Sequence, residues 1–423
     1  MGFDKLLVLI SFLLIYILLM VLPKYRAYIA LAGATFYILF GVVTFSEALN
    51  YINWNVIMMI AGTMGTVHFF IESKMPALMA EFIISKTPNV KWAIIALSLF
   101  AGIISAFVDN VATVLMVAPI ALTISNKLKI SPVSSIIAIA IASNLQGAAT
   151  LVGDTTSILL AGAANMNFFD FFWFLNRPGM FFVVQAGALV ATLYLLWIFR
   201  KDTLAIKTND KTEVKDYVPS YLLGLTILFL IIASFIPNAP ENINGYICMA
   251  LYGVGILHHV IRKESNLIKK SLQEIDYFTL LLLTGLFVVI GGITEIGLVA
   301  DLSHYIGTIT NNIFLLYTII VWLSVLLSAF IDNIPYIATM LPVIAALGAD
   351  LGHTPYVLYF GLLAGATLGG NLTPIGASAN IAGLGILKRA GYDVKPLTFM
   401  KMAVPYTLLA VFTGYVLIWV LYV

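Results

Sequence analysis

The chain has 423 residues, 61% of them hydrophobic and only 10% charged; a soluble domain carries roughly 25% charged residues, so an ordinary soluble protein is excluded. A formal net charge of +2 gives no reason to expect a nucleic-acid partner, and the single cysteine, Cys248, excludes both an intramolecular disulfide and a cysteine-cluster metal site. What remains is an all-α polytopic membrane protein whose surroundings are lipid.

Apolar runs close to the ~20 residues that cross a bilayer recur along the chain. The first, "LLVLISFLLIYILLMVL" (Leu6 to Leu22), lacks an A-x-A-like cleavage site and exceeds a signal-peptide core in length, so it reads as a retained helix. Ten stretches read as spans, at about 5–22, 27–43, 55–71, 133–162, 179–199, 218–236, 244–260, 278–294, 355–385 and 399–421. Two further apolar blocks, 92–124 and 314–347, are interrupted in the middle by Asp-Asn, in "ISAFVDNVATVLMVAP" and "LSAFIDNIPYIATMLP". "NFFDFFWF" (Asn167 to Phe174) reads as an aromatic segment at the membrane interface. The polar run "RKDTLAIKTNDKTEVKDY" (Arg200 to Tyr217) reads as a cytoplasmic linker.

Charge placement decides whether the interrupted blocks cross or return. Short cytoplasmic loops collect Lys and Arg. If both blocks are re-entrant hairpins and the N-terminus lies outside, 20 of the 22 basic residues fall inside, leaving only Lys5 and Arg177 outside. Crossing blocks would destroy this sorting. A register of 223 residues links the halves without a gap: Gly62 matches Gly285, Asp109-Asn110 matches Asp332-Asn333, Pro119 matches Pro342, Gly147 matches Gly370, and Thr150 matches Thr373. The expected organisation is two repeats, 1–199 and 218–423, joined by the linker 200–217. Each holds five spans and one hairpin. Five is odd, so the repeats insert in opposite orientations, with both termini outside. Inverted repeats with interrupted spans at matching positions point to a secondary transporter whose site lies near the midplane.

Two constellations carry the chemistry. A carboxylate at the bilayer centre costs roughly 2.5–3.5 kcal/mol on insertion scales, so Asp109 and Asp332 require a partner, a proton or water. Capping a new helical segment is the plain role for such residues; holding a coupling proton or cation is the functional one, and the two coexist. The second constellation is a pair of broken helices, 133–162 and 355–385, in "IASNLQGAATLVGDTTSILLAG" and "GATLGGNLTPIGASANIAGLG". Close helix packing explains their glycines. It does not explain Asn144, Gln146, Asp154, Asn371 and Asn380, with Ser378 beside them, which add hydrogen-bonding capacity where unwound backbone must line protein or a watery cavity. Freed carbonyls suit a cation, and half-helix N-termini suit an anion. His68 and Glu72 lie one turn apart and could relay protons or simply sit at an interface, as His258 and His259 do at a cytoplasmic boundary. His304 and His353 are expected in outside loops, so no metal site is expected there. No P-loop is present, which leaves ATP drive unsupported.

At these motifs the chain resembles the ion transporter superfamily, in the branch that holds arsenite permeases, NhaD-type sodium/proton antiporters and the P protein of melanosomes, related to citrate and divalent anion/sodium symporters. "SAFVDNVATVLMVAPI", "GAATLVGDTTSILLAG", "SAFIDNIPYIATMLPVI" and "LGGNLTPIGASAN" carry the resemblance. The sodium symporters have Ser-Asn-Thr at the hairpin tips; here the triplets are Asp109-Asn110-Val111 and Asp332-Asn333-Ile334, which favours a titratable, proton-linked site. The resemblance implies substrate-enclosing roles for Asn144, Thr150, Gly153, Asn371, Thr373, Gly376 and Asn380, a homodimer, and an elevator motion. The expected function is therefore a proton-coupled secondary transporter in the cell (inner) membrane, moving a small inorganic ion or oxyanion by alternating access. Its site is Asp109 and Asp332 with Asn110, Asn333 and the broken helices, with H+ or Na+ as the coupling ion and Na+ held near Asp109, Asn110, Asp332 and Asn333; no other cofactor is expected. Sodium/proton antiport is the alternative within this class, and an ion channel is the alternative outside it. An enzyme is not expected, because no nucleophile–base pair stands out.

Overall fold

The computed structural model describes residues 3–206, 212–310, 312–351 and 356–423. The first half begins with α1 (Phe3–Val21) and α2 (Arg26–Leu39), followed by the short α3 (Phe45–Tyr51), α4 (Trp54–Glu72) and α5 (Met75–Ser85). Then come α6 (Val90–Ser105), α7 (Asn110–Leu128), α8 (Val133–Gln146), α9 (Thr155–Ala164) and α10 (Met180–Ile198). The second half runs through α11 (Val218–Ala233), α12 (Ile243–Ile261), α13 (Ser265–Gln273), α14 (Tyr277–Glu295) and α15 (Leu298–Ile309). It ends with α16 (Ile313–Ser328), α17 (Asn333–Leu351), α18 (Tyr356–Gly369), α19 (Ser378–Arg389) and α20 (Pro396–Tyr422).

The 223-residue register reappears in the helix ends. Trp54–Glu72 becomes Tyr277–Glu295, Val90–Ser105 becomes Ile313–Ser328, and Val133–Gln146 becomes Tyr356–Gly369, each shifted by that spacing. Local caps explain why. Asn53 accepts a hydrogen bond from the Val56 amide at the start of α4, and its counterpart Asp276 accepts one from Thr279 at the start of α14. Asn89 and Asn312 do the same for α6 and α16. Side-chain caps of this kind satisfy amides that the first helical turn leaves unpaired.

Packing exchanges the halves. α4 lies against α12, and α14 against α2; α19 lies against α7, and α17 against α9. Two glycines of the register permit the first two contacts. A Cβ on Gly62 would sit 2.4 Å from the Cys248 carbonyl carbon, and one on Gly285 would sit 2.5 Å from that of Ala30. α6 to α10 and α16 to α20 form one body around the buried α8 and α18, while α1, α2, α4, α11, α12 and α14 form another; α5 and α15 lie between them.

Several expectations are refined here. Among the described residues six helices are singly long and apolar enough to cross a membrane, while α1 and α2 meet that test only as a pair bent by 113°. Both interrupted blocks are broken, at Ala106–Asp109 and Ala329–Asp332, and the helices that follow the breaks, α7 and α17, have 19 residues each. α8 has 14 residues and α9 has 10; at 1.5 Å per residue α8 reaches about 21 Å, less than the hydrocarbon thickness, so the two are parts of one broken element. Within the aromatic stretch Phe168 and Phe171 are fully buried in the protein, and Trp173–Phe174 pairs with Arg177–Pro178 in a short antiparallel ribbon. His304 belongs to α15, not to a loop, and His353 lies outside the described residues. The described parts of the linker are pinned. Ala205 bridges to Asn89, Thr212 bonds the Glu81 carboxylate through its amide and hydroxyl, and Asp216 accepts His258 Nε2 at 2.6 Å.

Candidate functional site

The two interrupted blocks bring their Asp-Asn pairs to one cavity of about 470 Å³. Asp109, Asn110, Val111 and Ala112 enter from one tip, and Asp332, Asn333 and Ile334 from the other. Asn144, Asp154 and Thr155 come from the first broken helix, and Ala377, Ser378 and Ala379 from the second. Four segments distant in sequence thus converge, as the register requires.

Each tip is built by capping. Asp109 Oδ1 accepts the Val111 and Ala112 amides at 2.9 and 3.1 Å, and Asp332 Oδ1 accepts Ile334 N at 3.0 Å. The second oxygens differ. Asp332 Oδ2 takes Arg26 Nη1 at 2.8 Å, whereas Asp109 forms no ion pair with another described residue. Asn110 is buried and holds its tip to the break behind it: its Oδ1 accepts Ser105 Oγ, and its Nδ2 donates to Asn144 Oδ1 at 3.2 Å. Asn144 Nδ2 in turn donates to the Thr367 carbonyl. Asp154 caps α9, accepting Thr155 N at 2.7 Å and Thr156 Oγ1 at 3.0 Å, and Thr156 meets Thr367 Oγ1.

The remaining expected site residues stand behind the cavity, not in its wall. The Thr150 and Thr373 hydroxyls donate to the Ala106 and Ala329 carbonyls, fastening each break to its tip by the same bond. Gly153 and Gly376 fill the tightest points: a Cβ there would lie 3.0 Å from the Ala106 carbonyl oxygen and 2.8 Å from that of Ala329, respectively. Ser157 Oγ donates to Gly147 O and Asn380 Nδ2 to Gly370 O, again matching positions. Asn371 Nδ2 donates to Ile141 O, and the Oδ1 atoms of Asn371 and Asn380 are buried without a protein partner. Gln146 faces away, in a reciprocal amide pair with Gln185.

Glu274 and Asp276, which the sequence pattern did not single out, line the cavity, and His68 and Glu72, expected as a proton relay or an interfacial pair, join them from the end of α4. His68 is buried with Nε2 unpartnered. The wall thus carries six carboxylates, of Glu72, Asp109, Asp154, Glu274, Asp276 and Asp332, and no Lys or Arg among the described residues. Asp276 was detectable from the register, because it places a charge opposite the neutral Asn53; Asp154 likewise stands opposite Ala377. Arg26 had no such signal. Its place between two spans reads as an inside loop, and its partner is 306 residues away.

Comparison with known proteins places these features in context. Residues 16–365 match the family described as citrate transporter, CitMHS. An uncharacterised transporter of Mycobacterium tuberculosis is 32% identical over 409 residues, covering 94% of each chain. The P protein of Sus scrofa is 23% identical over 459 residues, covering 88% of this chain and 53% of its own. Among solved structures, the YdaH transporter of Alcanivorax borkumensis aligns with a TM-score of 0.57 at 16% identity, over 91% of this chain and 87% of that one, a likeness of fold.

Proposed function

The chain belongs to the citrate transporter family and is a multi-pass membrane transporter, not an enzyme; from this premise we propose that it is a secondary active transporter coupled to H+ or Na+, moving a small inorganic ion by alternating access. The observation that carries the proposal is the convergence of Asp109 and Asp332, from matching positions of the two halves, on one cavity. A carboxylate withdrawn from water and lacking a cationic partner is costly, and a bound cation or proton relieves that cost. Asp109, half-buried in the cavity wall and with no ion-pair partner among the described residues, bears part of that cost. Asn110, Asn333, Asn144 and Asp154 supply further oxygens around it.

The charge of the wall favours a cation over an oxyanion as the ion that enters. Six carboxylates line the wall; Arg26 offsets Asp332 from behind it and Lys270 stands 3.7 Å from Glu72, which leaves an excess of acid that attracts Na+ or H+ and repels an anion, unless that anion is protonated or arrives with its own cation. Sodium/proton antiport is therefore the preferred form of the proposal. As parts of the same reading, the two halves insert in opposite orientations with both termini outside, the interrupted blocks return as hairpins, and the protein works as a homodimer in the cell (inner) membrane. The body of α6 to α10 and α16 to α20 moves against the other.

The test is flux in proteoliposomes under imposed proton and sodium gradients. We expect saturable, gradient-driven exchange that Asp109→Asn abolishes in protein that still elutes as a folded species. Wild-type exchange in that variant would overturn the assignment, and flux that does not saturate and never concentrates the ion would identify a channel.

A further inference from the structure

We propose that Arg26 is the built-in counter-cation of the transport site: it holds Asp332 while no coupling ion is bound and releases it when Na+ or H+ occupies that carboxylate, freeing the tip of α17 from the α1–α2 corner. This inference rests on the transporter reading above and assigns a coupling role to a residue outside the repeat motifs.

The guanidinium is set in place by the fold. Arg26 opens α2 at the 113° bend, and its Nε donates to the Leu19 carbonyl at 3.0 Å in the last turns of α1, which leaves Nη1 directed at Asp332 Oδ2, 2.8 Å away. A second bond reinforces the same junction: Tyr16 of α1 donates its hydroxyl to the Pro335 carbonyl at 2.9 Å, in the first turn of α17. Both bonds join the body that contains α1, α2 and α14 to the body that contains α17 and α18, so any motion of one past the other must break them.

The pair is also placed to sense loading. Asp332 lines the cavity and is a quarter exposed, and Arg26 is its only ion-pair partner among the described residues. Across the cavity it faces Asp109, Asp154, Asp276, Glu72, Glu274 and His68. A cation bound at the Asp332 carboxylate would stand within a few ångströms of the guanidinium, and like charges that close repel; a proton there removes the charge that attracts Arg26. Ion and arginine are therefore competitors for one carboxylate. The first tip has no such competitor, because Met249 stands at the position matching Arg26 and Asp109 spends its bonds on backbone amides.

The experiment is hydrogen exchange of residues 330–336 in the full-length protein in detergent, in sodium chloride and in choline chloride of equal ionic strength, and at neutral and acid pH, alongside sodium-dependent flux in proteoliposomes. For the wild type, sodium or acid is expected to lower the protection factor of this segment, its exchange corrected for the intrinsic amide rate at each pH, about tenfold, the factor that 1.4 kcal/mol produces. Arg26→Gln is expected to exchange at the fast rate in choline already and to lower the half-saturating sodium concentration about tenfold. If Arg26→Gln does not fold, Tyr16→Phe, which removes only the second bond, should show a smaller acceleration of the same segment. Wild-type protection and wild-type sodium dependence in Arg26→Gln would overturn the proposal, as would a wild-type segment indifferent to both sodium and acid under conditions that saturate flux. Ion-dependent exchange in a protein that shows no gradient-driven flux would instead overturn the transporter reading and leave the competition standing.

Discussion

At the scale of single residues, the two Asp-Asn pairs share a place in the register but not an electrostatic setting. Asp109 has two amides and no cation among the described residues, while Asp332 has one amide and Arg26. Asp154 adds a third carboxylate that the second half replaces with Ala377. Because an Asn at 154 can still accept from Thr155 N, we expect Asp154→Asn to keep α9 capped and lose at most about 1 kcal/mol of stability, while flux falls at least about tenfold, the effect of removing one charged ligand worth 1.4 kcal/mol. Unchanged flux in proteoliposomes would mean that Asp154 only caps. The carboxylates were legible in the sequence because charge is conspicuous in an apolar run. Arg26 was not, since a basic residue between two spans is what any inside loop contains, and only the bend between α1 and α2 aims it at the site.

At the scale of elements, the breaks behave as clamped joints. Thr150 and Thr373 tie each break to the carbonyl of its own tip, and Gly153 and Gly376 let the backbones meet. A methyl group at Gly376 would lie 2.6 Å from the Gly370 oxygen and 2.8 Å from the Ala329 oxygen, both backbone atoms that cannot turn aside. Gly376→Ala should therefore cost about 1–3 kcal/mol, as overpacking does, and should lower the melting temperature in detergent along with flux; Thr373→Val should do the same more mildly. The pattern of Gly, Thr and Asn marked these stretches in the sequence but not the division of labour within them, because hydrogen-bonding capacity does not reveal whether it faces a cavity or a neighbouring carbonyl. α5 and α15 went unread for a different reason. They are short helices of 11 and 12 residues between longer spans, and such lengths carry little sign of whether they cross, lie flat or cap a bundle.

At the scale of the whole molecule, the linker and its ion pairs join distant elements outside the spans. Glu264 is held below its ordinary 4.5 chiefly by its hydrogen bond with His259, and Asp216 is held below 3.8 because the Val218 amide, His258 and Arg262 outweigh its desolvation. Both values are lower folded than unfolded. Their contribution is therefore complete above about pH 4.5 and is lost as pH falls through the folded values. Thermal unfolding in detergent should steepen its decline below that pH, and Glu264→Gln should flatten the decline.

The corner at Arg26 bears on the protein's resting orientation. If the halves are interchangeable by a two-fold axis, the outward-open and inward-open forms would be mirror counterparts in energy, and an unloaded protein would divide its time equally between them. A bond between Arg26 and an Asp332 whose twin has no ion-pair partner among the described residues removes that equality. A difference of 1.4 kcal/mol already stores about ten molecules in one orientation for each in the other, so the unloaded protein would wait facing one compartment and respond faster to an ion pulse from that side than from the opposite one.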